Sequence, residues 1–108
     1  MKERDIENHL VDRAVQLGGE VRKVKWIGRR GAPDRLVMLP AVTRSKDFNA
    51  LTTQPRTLWV ELKAPGKKAT FPADAHERQQ DREHKRMRAM GQRVEVIDSI
   101  IGVEELLK

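Results

Sequence analysis

The run Thr57-Leu58-Trp59-Val60-Glu61-Leu62-Lys63 narrows the possible folds more than any other segment of this chain. Leu58, Val60 and Leu62 alternate with Thr57, Trp59, Glu61 and Lys63. A period of two places the first set on one face of a β-strand and the second on the other. One face is fit for a hydrophobic core, while the other carries a carboxylate and an ammonium two positions apart. Such a strand needs partner strands beside it and a layer covering its apolar side.

Candidates for both are present. After Pro33, residues 34–39 read as a strand stopped by Pro40, and residues 20–27 alternate basic with apolar side chains as a half-exposed strand does, before the break Gly28-Arg29-Arg30-Gly31. Residues 94–97 form a last strand. Ile6, Leu10, Ala14 and Leu17 recur at helical spacing, which predicts a helix over 3–17 ended by Gly18-Gly19. A highly charged helix is expected over 73–90, ended by Gly91, and a short one over 103–107. Residues 41–56 show no clear period and are expected to form a long connection of the functional kind. The order is helix, three strands, helix, strand, helix. It fits an α/β (mixed α+β) fold with a small mixed sheet flanked by helices, in which strands 57–63 and 94–97 share a right-handed crossover unit. With 108 residues, a single domain over 1–108 is expected.

Sequential strands pair most simply as an antiparallel hairpin. If Leu39 lies near Arg56 or Thr57, Asp34 falls opposite Glu61, with their Cβ atoms roughly 5 Å apart, and Lys63 shares their face. Two carboxylates that close repel unless a cation lies between them. Oxygen ligands suit Mg²⁺ or Mn²⁺, which bind through one or two carboxylates plus a substrate phosphate. The expected chemistry is metal-assisted phosphodiester hydrolysis, with Lys63 orienting the attacking water or offsetting developing charge.

Charge supports a polyanionic partner. Lys and Arg total 22 against 16 Asp and Glu, a net charge of +6. The bases concentrate around the candidate site: Arg22, Lys23, Lys25, Arg29, Arg30 and Arg35 precede or flank Asp34, and Lys67 and Lys68 follow Lys63. Of these, Lys23, Lys25, Arg29, Arg30, Arg35, Lys67 and Lys68 are the candidate nucleic-acid contacts, although Lys67 and Lys68 serve loop solubility equally well. The absence of cysteine excludes disulfides, thiolate zinc sites and cysteine nucleophiles. No apolar run suggests a leader or a membrane span, so a cytoplasmic protein without a membrane partner is expected.

The segments Gly31-Ala32-Pro33-Asp34-Arg35-Leu36-Val37 and Leu58-Trp59-Val60-Glu61-Leu62-Lys63-Ala64-Pro65-Gly66, followed by Gln80, Met87 and Gly91, resemble the VRR-NUC (virus-type replication-repair nuclease) branch of the PD-(D/E)xK superfamily. The resemblance runs from about Glu7 to Ile97. It implies a restriction-endonuclease-like core in which Asp34, Glu61 and the main-chain carbonyl of Leu62 hold the metal and Lys63 serves the attacking water. Glu7 would be the family's N-terminal acid, reaching the metal directly or through water. Gln80 would be the helical glutamine over the site, and it shares a helix face with His84 and Met87. The resemblance further implies DNA as substrate, branched forms such as Holliday junctions in replication and repair, a homodimer, and the cytoplasm of a bacterial or phage-infected cell.

The residues alone leave other readings open. Glu7 is an ordinary exposed helix acid by its context, and His9, His76 and His84 are expected to be solvated rather than ligands. Trp26 and Trp59 are expected in the core rather than stacked on bases. Ile97, Ile100, Ile101, Val103, Leu106 and Leu107 are expected both to close the core and to form a dimer face. A non-catalytic basic nucleic-acid-binding or scaffolding module competes with the enzyme, and within the enzyme class so does a restriction-like or RNA-processing nuclease.

Overall fold

The structure, a computed structural model, describes residues 1–46 and 49–108. In chain order its elements are α1 (Glu3–Gln16), β1 (Glu20–Lys23), β2 (Arg35–Leu39), β3 (Val42–Lys46), β4 (Asn49–Thr53), β5 (Arg56–Leu62), α2 (Ala75–Ala89), β6 (Val94–Ile97) and α3 (Ile100–Leu107). Among the described residues no helix is long and apolar enough to cross a membrane.

Helix α1 begins where the Lys2 backbone N–H donates to Asp5 Oδ2 at 2.7 Å, an acid in the first turn that complements the positive end of the helix. Ile6, Leu10 and Ala14 are fully buried, as their spacing requires. The helix stops at Gly18, whose φ of +84° is left-handed. Gly19 is required for a different reason: a Cβ there would stand 2.1 Å from the Met38 carbonyl oxygen, because the chain leaves α1 hard against β2.

A four-stranded sheet runs β1-β2-β5-β6. Strand β2 is antiparallel to both β1 and β5, and β5 is parallel to β6, with α2 as the connection between them. The β2–β5 register pairs Leu39 with Arg56 and Arg35 with Val60, within the register expected from sequence. Helices α1 and α3 cover one face, where Val37, Leu39, Leu58, Val60, Leu62 and Ile97 join Ile6, Leu10, Val103, Leu106 and Leu107 in a single core. The opposite face meets α2, which buries Met87 together with Gln80, Glu83 and His84. Ser99 caps α3 by accepting from the Gly102 N–H at 2.9 Å, and Glu104 ties α3 to α1 through His9 and Arg13, both at 3.1 Å.

Several expectations need correcting. Residues 42–46 and 49–53 form an antiparallel ribbon, a second sheet, rather than an unstructured connection; residues 47 and 48 of that segment lie outside the described residues. Its Val42-Thr43 and Thr52-Thr53 pairs carry β-branched propensity, but the segment shows no clear alternation in sequence, and among the described residues the ribbon pairs only with itself. Strand β1 ends at Lys23 rather than at residue 27: its last tie to β2 is the Val24 N–H donating to the Asp34 carbonyl at 2.9 Å, and Pro33 follows on the neighbouring strand. Helix α3 starts at Ile100, three residues before expectation, because Ser99 supplies its cap. Of the C-terminal apolar residues, Ile97, Val103, Leu106 and Leu107 close the core as expected, whereas Ile100 is half-buried outside it and Ile101 is 75% exposed.

Candidate active site

Strand β5 sets the site. Its residues Trp59 and Lys63 donate their backbone N–H groups to the carbonyls of Arg93 and Ile97, both at 2.9 Å. Odd positions of β5 therefore hydrogen-bond toward β6, and Leu58, Val60 and Leu62 toward β2. Continuing the β2–β5 register one step past Arg35 and Val60 brings Asp34 opposite Glu61. One step further, Leu62 faces Pro33, which has no N–H to give. The ladder itself ends at Arg35 and Val60; its continuation would set Asp34 across from Glu61 and leave the Leu62 carbonyl opposite a residue that cannot donate to it.

Each carboxylate has a defined environment. Asp34 is 55% exposed, and its Oδ1 pairs with the Arg35 guanidinium at 2.9 Å. Glu61 is buried, and its Oε1 lies 3.1 Å from Nε2 of His84. The other ring nitrogen of His84, Nδ1, is buried without a partner among the described residues. His84 is fully buried, stacked on Phe71 with ring centroids 5.7 Å apart, which corrects the expectation that it is solvated. With Oε1 engaged, Glu61 has Oε2 to offer an ion.

Lys63 is held from α2. Its Nζ donates to Gln80 Oε1 at 2.6 Å, pairs with Glu77 Oε2 at 3.0 Å and sits 5.2 Å from the centre of the Phe71 ring. An ammonium has three hydrogens, so one remains for a water or phosphate. Gln80, the residue implied by the family resemblance, is the one that meets the lysine. Glu77 was not anticipated, although Glu77, Gln80, His84 and Met87 follow one another at helical spacing and so share a face. The Ala73 backbone N–H and then the Lys63 ammonium hold the Glu77 carboxyl below its ordinary range.

Glu7 and Arg35 behave differently from expectation. Arg35 has the same parity as Val37 and Leu39, so it points toward α1 rather than outward, and its side chain is only 12% exposed. Its guanidinium grips Glu7 through Nε at 2.6 Å and through a second nitrogen on the same oxygen. The arginine is therefore an internal bridge between Glu7 and Asp34, not part of an open basic surface. Among the described residues no three Asp, Glu or His side chains gather closely enough to hold a metal together. Glu7 is thus linked to Asp34 through Arg35.

The remaining oxygen donors fit a hard cation that needs only one or two carboxylates: Asp34, Glu61 through Oε2, and the Leu62 carbonyl facing Pro33.

The other expected nucleic-acid contacts, Lys23, Lys25, Arg29, Arg30, Lys67 and Lys68, are exposed. Sequence reasoning passed over a further basic surface on α2. Arg82, Lys85 and Arg86 join Arg30 and Gln79 around an open groove of about 390 Å³ beside the Gln80 turn. The loop between β1 and β2 seals against that turn at Gly31, with φ +82°, where a Cβ would lie 2.9 Å from the Gln79 carbonyl oxygen. This contact docks the segment leading into Asp34 onto α2.

No family model matches this sequence. A relative from Acyrthosiphon pisum secondary endosymbiont phage 1, "Putative nuclease p44", is 39% identical over 99 residues, spanning 92% of this chain and 85% of the relative. A solved structure described as a VRR_NUC domain is similar with a TM-score of 0.68 at 30% identity, covering 97% of this chain and 92% of the other. Motif, fold and relatives agree, and the chain belongs to the VRR-NUC family of nucleases.

Proposed function

We propose that this protein is a Mg²⁺- or Mn²⁺-dependent endonuclease that hydrolyses DNA phosphodiester bonds, acts on branched forms such as four-way junctions, and works as a homodimer. The observation that carries the reading is the β2–β5 register, whose next pair past Arg35 and Val60 would be Asp34 with Glu61, together with the hold of α2 on Lys63.

Asp34, Glu61 and the Leu62 carbonyl would hold the divalent ion, which when bound would supply positive charge for the scissile phosphate and activate water for attack. The rest is the work of the chain. Lys63, with two of its hydrogens committed to Gln80 and Glu77, directs the third at the attacking water or at the charge developing on phosphate. His84 fixes the rotation of the Glu61 carboxylate, and Arg35 does the same for Asp34 and Glu7. Arg30, Arg82 and Arg86 line a path for the phosphate backbone. A two-fold dimer presents two such sites to two strands, which suits a junction, and exposed Ile101 is a residue such an interface can cover.

The test is cleavage of a labelled four-way junction and of its linear duplex, with Mg²⁺ or Mn²⁺ and with EDTA. Junction cutting that needs metal and is lost in Asp34→Asn and Glu61→Gln is the expected result. Intact DNA with wild type, or equal cutting by the variants, sinks the assignment. Salt-sensitive binding without turnover would mark a binding module instead. Sedimentation at micromolar concentration reads the dimer.

A further inference from the structure

Beside the catalytic residues, on the same face of the sheet, the two indoles of the chain make a cleft. Trp26 and Trp59 lie with ring centroids 5.3 Å apart and planes inclined by 43°. Neither is in the core; both are half-buried. Each ring is fixed by its own N–H: Trp26 Nε1 donates to the Pro33 carbonyl at 2.8 Å, and Trp59 Nε1 donates to Gln92 Oε1 at 3.1 Å. With Met87 and Met90 they wall a cavity of about 200 Å³, rimmed by Arg29 and Glu83. Met90 is 72% exposed, so the cavity is open to a guest.

We infer that this cleft receives one unstacked nucleobase of the DNA strand being cut, an assignment that rests on the nuclease reading for the identity of the strand. Three features of the cleft support that occupant. Aromatic faces with polarizable methionines suit a flat π-system, and Arg29 adds a cation beside them. The volume falls below the usual small-molecule range of roughly 300–1,000 Å³, which limits the guest to a single ring system. The position is also right: Trp59 and Glu61 are two residues apart on one strand face, about 7 Å, and Trp26 is clasped to Pro33, the residue before Asp34. The duplex rise of about 3.4 Å per nucleotide is a lower bound for an unstacked strand, so the base belongs within about two nucleotides of the scissile phosphate. Arg29 is already drawn over the cleft by Glu83 at 3.4 Å and leaves its remaining hydrogens for the strand.

A stacked duplex hides its base faces, so the cleft selects strands whose bases are free, as at junctions and single-stranded ends. This gives substrate choice a place in the fold that is separate from the metal ligands.

Because the chain has only two tryptophans and both line the cleft, intrinsic fluorescence reports its occupancy. The experiment titrates wild type, in EDTA so that nothing is cut, with a short single-stranded DNA and with a series of the same strand carrying one abasic residue at successive positions. Quenching by the intact strand that disappears at one abasic register is expected. Trp59→Ala should weaken binding about 5- to 100-fold, and Trp59→Phe, which keeps a stacking face, should recover most of it. An intact strand that leaves the fluorescence unchanged overturns the inference, as does an abasic series that quenches uniformly. The abasic series uses wild type, so it decides the question even if Trp59→Ala fails to fold. Cleavage without base-dependent quenching removes the base site alone. Base-dependent quenching without metal-dependent cleavage removes the nuclease reading and leaves the base site standing.

Discussion

Toward α1 and α3 the central sheet presents Val37, Leu39, Leu58, Val60 and Leu62, while toward α2 β5 presents Trp59, Glu61 and Lys63. Among the described residues, the buried polar side chains are Glu61, Gln80, Glu83 and His84, and all lie on the α2 side. The two faces therefore do different work. Apolar burial on the first supplies net stability in proportion to area removed from water. Charges and amides buried on the second are at best neutral to stability, since desolvation offsets what their pairing returns. What they provide is placement: one carboxylate oriented by His84 and one ammonium held by two acceptors.

The largest expected effect separates the faces directly. Glu61→Gln keeps the shape of the side chain and can still bond to His84, but removes the charge that the proposed metal site relies on. Cleavage should fall by about a thousandfold, equivalent to several kcal/mol of transition-state stabilisation, with little change in melting temperature. Leu58→Ala on the other face should do the reverse. Truncating a fully packed leucine costs about 2–5 kcal/mol, which lowers the melting point of a chain this size by roughly 10 °C or more. At a temperature where the variant is still folded, its cleavage rate should match wild type. If thermal melts rank Glu61→Gln as the more damaged protein, the division between the faces is wrong.

A smaller effect is expected from the residue behind the ligand. His84→Ala leaves the buried Glu61 carboxylate without its donor and removes the ring that Phe71 covers. The Mg²⁺ or Mn²⁺ concentration needed for half-maximal cleavage should rise by about 10- to 100-fold, while the rate at saturating metal falls less. An unchanged metal dependence would mean that His84 only fills space.

The same contrast explains what was legible in the sequence. The apolar face follows period-two and helical spacing, so Ile6, Leu10, Ala14, Leu58, Val60 and Leu62 could be placed without coordinates. Proline on either side of β2 marked where pairing stops, and the observed register agrees with the one expected. The α2 face obeys no comparable rule, because polar residues in a charged helix look alike whether they are solvated or buried. His84 was misjudged and Glu77 overlooked on that account, although both fall on the helix stripe of Gln80 and Met87. Arg35 is a case where pattern outweighs residue type: its parity with Val37 and Leu39 turns it inward, and Glu7 is there to receive it. The ribbon of β3 and β4 escaped notice because its sequence carries no clear period of two, the signal that revealed β5.

The smallest expected effect concerns pH and sets a carboxylate on each side of the sheet against the other. Glu77, on the α2 side, is held below the ordinary carboxyl range by the Ala73 N–H and then by Lys63. Glu104, which joins α3 to α1, is lowered by hydrogen bonds from His9 and then Arg13. A depressed folded-state pKa means that the folded protein resists protonation more than the unfolded chain does. Each group therefore contributes stability that is fully present above the unfolded value near 4.5 and is lost as pH falls through the lower folded value. Between pH 7 and pH 6 neither should make stability slope (roughly one and a half pH units or more above that value). Below it, urea midpoints should decline, and Glu77→Gln and Glu104→Gln should each flatten part of that decline. The loss at neutral pH from Glu77→Gln should stay under about 1 kcal/mol, as for other pairs that water still reaches. Glu77→Gln should also loosen Lys63 and slow cleavage, whereas Glu104→Gln, on the stabilising side of the sheet, should change stability alone; a cleavage defect in Glu104→Gln at full folding would show that the two faces are coupled.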